Sequence, residues 1–265
     1  MTHEIKLYES YWISRYLLAK EFIAKRYPER LEEFITRLDV FRTDPNYKIK
    51  DLPDILSQEL LDFIKKIILN TPKSKMEMHE VDSFGRHVLH NQPIFFKIQA
   101  SLIERVSEWV GEDVEPSYNF LSLYTNRGVC EPHIDSPNAK WTLDICIEQS
   151  DPWPIHFSKI IPWFEQFPEL SGNWQQDLKN DPGLQFETKV LEPRNAILFA
   201  GSSQWHYRDA MTKSAGRGFC NLLFLHYRPK GSGELALPHL WAEVFGIPDL
   251  VDVVGGEPTR QLKKT

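Results

Sequence analysis

The sequence has 265 residues, which is enough for one large domain with appendages, and its 42% hydrophobic and 12% aromatic content can form a sizeable core. Its 31 lysine and arginine residues are outnumbered by 37 aspartate and glutamate residues, so the formal net charge is −6. This balance argues against a general nucleic-acid-binding protein, which would carry a basic surface.

The cysteines indicate a reducing compartment. There are three, Cys130, Cys146 and Cys220, far apart and without a CxxC pair, so they do not form a disulfide framework. The first six residues are polar and lack the apolar core of a signal peptide. No stretch approaches the roughly 20 apolar residues that cross a bilayer. We therefore expect a cytoplasmic protein without membrane or nucleic-acid partners.

The chain begins with a helical pattern. Apolar residues recur at helical spacing from Glu9 to Leu38, and Pro28 divides the run into two helices. We expect residues 1–48 to form a helical extension that packs on the core through this apolar face. A homodimer through the same helices is the alternative.

Two further helices are predicted before the strands begin. Ser57 is a good N-cap for a helix over Gln58–Leu69, and a second helix is predicted over Pro93–Val110, ending at Gly111. Short strands between them are predicted at Met76–Val81 and His87–Leu89.

From Val114 the apolar pattern has the period of a strand. In the segment Lys140–Glu148, one face carries Trp141, Leu143, Ile145 and Ile147, and the other carries Thr142, Asp144 and Cys146. The long excursion over residues 159–185 has the character of a lid or binding loop. Residues 229–265 are expected to form a tail with a short helix near His239–Phe245. The predicted strands are Tyr118–Tyr124, Lys140–Glu148, Trp153–Phe157, Phe186–Leu191, Ala196–Ala200, Gln204–Arg208 and Gly218–Tyr227.

The order of these elements defines the expected fold class. Helices come first, followed by about eight short strands separated by turn residues. This order predicts a mainly β protein with flanking helices, built as an antiparallel sandwich or jelly roll.

One motif has the residue types of a metal site. Glu131-Pro132-His133-Ile134-Asp135 is followed much later by Gln204-Trp205-His206-Tyr207-Arg208. If residues 131–136 are extended, His133 and Asp135 project from the same face of a strand. With His206 from a distant strand they form a set of two imidazoles and one carboxylate. Such a set holds Fe(II) on one side and leaves positions open for a co-substrate and O2.

These residues carry a family resemblance. The pattern of Tyr124, Glu131–Asp135, Asn195–Phe199, His206 and Arg217 resembles the Fe(II)/2-oxoglutarate-dependent dioxygenases of the prolyl 4-hydroxylase-like branch. The likeness covers about residues 49 to 228. It implies a double-stranded β-helix (jelly roll or cupin-like) domain over 49–228.

The resemblance also implies roles for individual residues. The iron ligands would be His133, Asp135 and His206. Arg217 would bind the distal carboxylate of 2-oxoglutarate, to which Tyr124 would add a hydroxyl hydrogen bond and Asn221 a further contact. Arg208 competes with Arg217 for this role because it lies two residues after His206, on the same strand face. Cys130 stands where the family often has an aromatic residue, and we interpret it as a small buried thiol.

The activity implied is hydroxylation of an unactivated C–H bond, with Fe(II), 2-oxoglutarate and O2 as cofactors and ascorbate as an optional reductant. Succinate and CO2 would be released, and the substrate would be a small molecule, an amino acid or a peptidyl residue. Asp135 favours hydroxylation over halogenation, whereas desaturation and ring closure stay open. The alternatives are a non-catalytic cupin-like binding or sensing protein and a Zn(II)-dependent hydrolase with the same triad.

The remaining histidines match no metal template. We interpret them as surface, loop or structural residues, namely His79, His87, His90, His156, His226 and His239.

Overall fold

The computed structural model describes residues 11–163, 165, 171–211 and 218–255. The α-helices are α1 (Tyr11–Arg26), α2 (Leu31–Leu38), α3 (Gln58–Asn70), α4 (Pro93–Ser101), α5 (Ile103–Val110), α6 (Trp174–Lys179), α7 (Trp241–Val244) and α8 (Leu250–Val254). The strands are β1 (Lys50–Leu52), β2 (Arg86–His90), β3 (Val114–Tyr124), β4 (Cys130–His133), β5 (Trp141–Gln149), β6 (Ile155–Phe157), β7 (Glu187–Lys189), β8 (Ala196–Phe199), β9 (His206–Arg208) and β10 (Cys220–Pro229).

The strands form two antiparallel sheets. The larger has the order β1-β8-β5-β10-β3-β2, and the smaller has the order β4-β9-β6-β7. Strands that follow one another in the chain alternate between the sheets from β3 to β6, so the sheet is rolled into two layers. This confirms the predicted double-stranded β-helix with flanking helices.

The alternation in β5 decides which side chains face the interior of the roll. Trp141, Leu143, Ile145 and Ile147 pack into the apolar core beneath helices α3 to α5. Thr142 and Cys146 lie on the opposite face, toward the second sheet. The two faces predicted for this strand are therefore confirmed.

The predicted helices are confirmed with one difference. Pro28 separates α1 from α2, and the side chain of Ser57 accepts a hydrogen bond from the Leu60 N–H at the start of α3. The single helix predicted over Pro93–Val110 is interrupted at Leu102, whose N–H bonds to the Gln99 carbonyl three residues back. This tighter turn redirects the chain between α4 and α5.

The two ends of the described chain pack on each other. Trp12 and Tyr16 of α1 and Phe34 of α2 are buried against Trp241 and Phe245. The apolar face of the N-terminal helices is thus covered within the same chain, and the structure gives no support to dimerisation through it. Among the described residues, no helix has both the length and the apolar character to cross a membrane.

The strand predicted at Met76–Val81 is wrong. Only Glu77 forms a bridge, to Val88, and the chain then turns over residues 79–84. The turn is closed by a hydrogen bond from the Phe84 N–H to the Glu80 carbonyl. It delivers the chain into β2 at Arg86.

Candidate metal centre

The two sequence motifs meet where β4 pairs with β9. His133 is directly opposite His206 in the antiparallel register, and the centroids of their rings are 4.1 Å apart. Strand β4 ends at His133, so the extended segment predicted for 131–136 is shorter than expected. Asp135 is nevertheless fixed beside the two rings, because its N–H donates to the Gly201 carbonyl at 2.9 Å.

The three side chains form a donor set of the size that a metal ion requires. Asp135 Oδ1 lies 3.6 Å from His133 Nε2 and 3.7 Å from His206 Nε2. One ligand atom from each residue lies within 4.8 Å of the others. The distances and the two-imidazole, one-carboxylate composition fit a facially bound Fe(II) ion.

Backbone carbonyls orient both imidazoles. His133 Nδ1 donates to the Glu131 carbonyl at 2.8 Å, and His206 Nδ1 donates to the Gln204 carbonyl at 3.0 Å. Because a carbonyl can only accept, Nδ1 carries the proton and Nε2 is left as the ligand atom. The rings therefore present the nitrogen that a metal needs toward Asp135.

Burial and mutual contacts shift the pKa values of all three ligand residues. Burial raises the pKa of the Asp135 carboxyl, despite the proximity of His133. Burial works against protonation of His133 as well, but Cys130 and Asp135 outweigh it and raise the pKa of His133 to about 10. Burial and the neighbouring His133 hold the pKa of His206 well below its usual value. Because an imidazole must have a free nitrogen to bind a metal, metal binding at His133 would compete with protonation of its Nε2.

Two neighbours fix the Asp135 carboxylate. Thr142 Oγ1 donates to Asp135 Oδ2 at 3.2 Å. A Cβ atom at Gly201 would clash with Asp135 Oδ2 and would lie 2.7 Å from Thr142 Oγ1. The close approach of the Gly201 backbone therefore requires glycine, and it holds Asp135 against β5.

The metal-ligand set opens into a cavity of about 1110 Å³ between the sheets. The cavity also receives Arg86, Tyr124 and Arg208, whose charged or hydroxyl groups lie on the side of Cys130. Trp174 and Gln175 of α6 contribute another part of its lining. The excursion predicted over 159–185 therefore reaches the cavity.

Tyr124 lines the cavity, where it is hydrogen-bonded to an arginine that the sequence did not single out. Arg86 Nη1 donates to Tyr124 Oη at 2.8 Å and to Ser122 Oγ at 3.2 Å, and Arg86 Nε pairs with Glu80. Burial raises the pKa of Tyr124, so its hydroxyl keeps its proton. Arg86 was missed because it precedes the region of the motifs and only the pairing of β2 with β3 brings it to Tyr124.

The other predicted co-substrate residues have different positions. Arg208 lines the cavity, where Nη2 bonds to Asp144 Oδ2 at 2.8 Å and Nη1 bonds to the Trp153 carbonyl. Arg217 lies outside the described residues. Asn221 is directly opposite Leu123 in the register of β3 and β10. Leu123 packs into the apolar core beneath helices α3 to α5, so Asn221 lies on the sheet face that points away from the cavity.

Three histidines interpreted as surface, loop or structural residues line the cavity, namely His79, His90 and His226. Cys130 is near the site as well, with its Sγ 3.8 Å from His133 Nδ1. Sequence spacing did not identify His226, because counting nine residues from Arg217 put it on the opposite strand face, whereas it lines the cavity together with Phe224, two residues earlier.

Comparisons with known proteins agree on the fold. No protein-family model matches the chain, and no curated protein matches it significantly. HygX from Streptomyces hygroscopicus, solved with nickel, 2-oxoglutarate and hygromycin B bound, has a TM-score of 0.52 at 8% identity, covering 69% of this chain and 83% of HygX. Apo HygX has a TM-score of 0.50 at 9% identity, covering 75% and 87%.

A prolyl-4-hydroxylase from Pseudomonas putida is similar at 10% identity over 75% of this chain and 100% of its own, but its TM-score of 0.48 is too low to support an argument. At such identities the similarity to HygX shows the fold alone. The fold and the site together define a double-stranded β-helix protein with a buried His-Asp-His donor set.

Proposed function

We propose that this protein is an Fe(II)- and 2-oxoglutarate-dependent oxygenase that hydroxylates an unactivated C–H bond of a small molecule, an amino acid or a peptidyl residue, releasing succinate and CO2. One observation carries the proposal: a single cavity contains the His133, Asp135 and His206 donor set together with buried arginines and Tyr124. The donor set alone would also suit a Zn(II) hydrolase. The cationic and hydroxyl groups beside it suit a co-substrate that bears carboxylates.

The metal would be held by His133, Asp135 and His206. When bound, Fe(II) would supply O2 activation coupled to the oxidative decarboxylation of 2-oxoglutarate. The carbonyls of Glu131 and Gln204 keep the imidazoles oriented, and the Phe199 ring packs against the His206 ring with centroids 4.8 Å apart. These contacts preorganise the ligands before the metal arrives.

Among the described residues, Arg86 is best placed for the distal carboxylate of 2-oxoglutarate. It lines the cavity, contacts Tyr124, and its Nη2 makes no hydrogen bond within the described part of the chain. Arg208 is less suited, because Asp144 and the Trp153 carbonyl already engage both of its Nη atoms. Arg217 and Asn221 keep only the support of the family resemblance.

The proposal is tested by anaerobic titration of Fe(II) and 2-oxoglutarate, following the visible charge-transfer absorption of an Fe(II)–2-oxo acid chelate. We expect the band with the wild-type protein and its loss in His206→Ala. His156→Ala is the matched control, because His156 lies on neighbouring β6 but bonds to Thr188 at the surface. Succinate release with Fe(II), ascorbate and candidate substrates then tests turnover. Metal-dependent hydrolysis with Zn(II), without a chelate band or succinate, would overturn the proposal.

The arginine assignment has its own test. The test measures the concentration of 2-oxoglutarate that half-saturates the absorption band. This concentration is compared between the variants Arg86→Met, Arg208→Met and Arg217→Met. Loss of a charge-assisted bidentate contact of about 1.5–3 kcal/mol predicts a 10- to 150-fold increase for the residue that binds the carboxylate. We expect the largest increase in Arg86→Met. An unchanged half-saturation in that variant would transfer the role to whichever other arginine shows the increase.

A further inference from the structure

Four nearly parallel rings line one side of the cavity. Tyr118 and Phe120 come from β3, and Phe224 and His226 come from β10. The Tyr118 and His226 centroids are 4.1 Å apart at an interplanar angle of 11°, and those of Phe120 and Phe224 are 4.8 Å apart at 27°. We call these four residues the aromatic wall. None of its side chains belongs to the metal-ligand set, and it borders the arginine side of the cavity at Phe120, whose ring lies 5.3 Å from the Arg86 guanidinium.

The register of the larger sheet places the aromatic wall next to the metal ligands. His226 is directly opposite Thr142 on β5, and Thr142 Oγ1 donates to Asp135 Oδ2. Residues opposite each other in an antiparallel pair have side chains on the same face, within about 5.5 Å at Cβ. A molecule bound against the wall would therefore have one end at the metal site.

The hydrogen bonding of His226 leaves an acceptor in the cavity. Its Nδ1 donates to the Tyr118 carbonyl at 3.3 Å, which makes Nε2 the unprotonated nitrogen. Within the described residues, Nε2 makes no hydrogen bond. Burial lowers the pKa of His226 to about 3, so the ring stays neutral and keeps this tautomer at physiological pH.

The backbone beneath the wall is firmly held. The buried Gln99 side chain donates to the His226 carbonyl at 2.6 Å and to the Tyr118 carbonyl at 3.1 Å. Tyr227 Oη donates to the Gln99 carbonyl at 2.9 Å. These bonds hold the backbone at the point where the pairing of β10 with β3 becomes irregular. The wall is thus preformed rather than assembled by a ligand.

We propose that the aromatic wall is the substrate subsite and that it binds a flat, unsaturated ring carrying an N–H or hydroxyl donor. The ring packs against Phe120 and Phe224, which are only half-buried, and the donor bonds to His226 Nε2. Because the rings of each cross-strand pair already cover one face of each other, a planar ligand packs against the edges and free faces that border the cavity, by edge-to-face or offset contact. An acceptor that faces the cavity without a hydrogen bond from the described residues selects for a ligand that supplies a donor. The proposal rests on the proposed function only in naming the bound ring as the substrate.

The test compares two probes of nearly the same shape, indole and benzofuran, of which only indole has an N–H. Binding to the metal-free wild-type protein is measured by ligand-observed NMR titration. A hydrogen bond of about 0.5–1.5 kcal/mol predicts that indole binds about 2- to 12-fold more tightly. In His226→Phe, which keeps a flat ring but lacks the acceptor, the ratio should fall to about 1. Phe224→Leu should weaken both probes by the same factor, whereas Phe96→Leu, on the exposed side of α4, should weaken neither.

A wild-type measurement keeps the test decisive if the His226 variant does not fold. In protein labelled with ¹⁵N-histidine, indole should shift the resonance of one unprotonated Nε2, and benzofuran should leave it in place. Equal affinities for the two probes, or a preference for indole that persists in His226→Phe, would overturn the proposal. The probe titration needs neither iron nor turnover. A negative result would therefore not affect the Fe(II)–2-oxoglutarate absorption test, and the absence of the absorption band would not affect the probe titration.

Discussion

At the residue scale, Gly201 is the position where the smallest change should have the largest effect on metal binding. A methyl group in Gly201→Ala would clash with Asp135 Oδ2 and the Ala139 carbonyl, so the carboxylate must move away from the two imidazoles. Because displaced supporting contacts typically reduce metal affinity 10- to 100-fold, we expect a loss of that size in an Fe(II) or Co(II) titration. Gly172→Ala is the control, since a Cβ there meets nothing within 4 Å. Equal affinities in the two variants would refute the role of Gly201.

His226 should make stability depend on pH. Its pKa is about 3 in the folded protein and about 6.5 when unfolded, so below pH 6.5 the unfolded chain binds a proton that the folded chain does not. Stability is therefore lost as the pH falls. Relative to His226→Phe, the wild type should lose about 2 kcal/mol between pH 7 and pH 5. Urea unfolding at both pH values measures this difference, and parallel pH dependences would contradict it.

The sequence identified the residues whose chemistry is expressed in a short motif. His133 and Asp135 are two positions apart, and a second histidine within a strand pattern completes the set. Arg86 and His226 could not be found in this way, because they belong to no short motif. Only the pairing of their strands with neighbouring strands places their side chains in the cavity. Asn221 shows the converse: strand alternation counted from the undescribed Arg217 placed it on the cavity side, whereas its pairing with Leu123 faces it away.

At the element scale, the start of α3 depends on a side-chain cap. Ser57 Oγ accepts from the Leu60 N–H at 3.2 Å, satisfying one of the donors that a helix leaves unpaired at its N-terminus. Ser57→Ala should therefore reduce the free energy of unfolding by about 1 kcal/mol. Asn173→Ala is the matched control, because Asn173 occupies the N-cap of α6 without a side-chain cap bond. The comparison uses urea denaturation, and equal losses in the two variants would count against the capping argument.

The elements themselves were largely predictable, since apolar periodicity reports which face of a helix or strand is buried. The alternation from Trp141 to Ile147 predicted both faces of β5, and Ser57 marked the start of α3. The residues at which elements begin and end were harder to predict. Strand β4 ends at His133 because the next residues leave β9 to bond with Gly201, a contact between segments far apart in the chain. Only the assembled sheets contain that information.

At the scale of the whole molecule, the buried apolar residues form separate clusters. Some lie within the rolled sheets, and another lies where the helices from the two ends of the described chain pack together. The cluster of the ends joins α1 and α2 to α7 and α8, and none of its buried members lines the cavity. Its links to the sheets include a hydrogen bond from Lys140 Nζ to the Val40 carbonyl at 2.9 Å. We infer that this cluster contributes to stability while the site keeps its geometry independently.

Phe34→Ala tests this separation. Phe34 is fully buried, and its ring centroid is 4.8 Å from that of Phe245 and 5.4 Å from that of Trp241. Removing the ring leaves a cavity in a close-packed cluster, which should cost about 3–5 kcal/mol in the free energy of unfolding. Phe63→Ala, at a side chain that is 47% exposed, should cost far less. Below the unfolding transition, both variants should bind Fe(II) with wild-type affinity, because neither phenylalanine reaches the cavity. A loss of affinity in Phe34→Ala alone would show that the cluster of the chain ends supports the metal centre through the sheets.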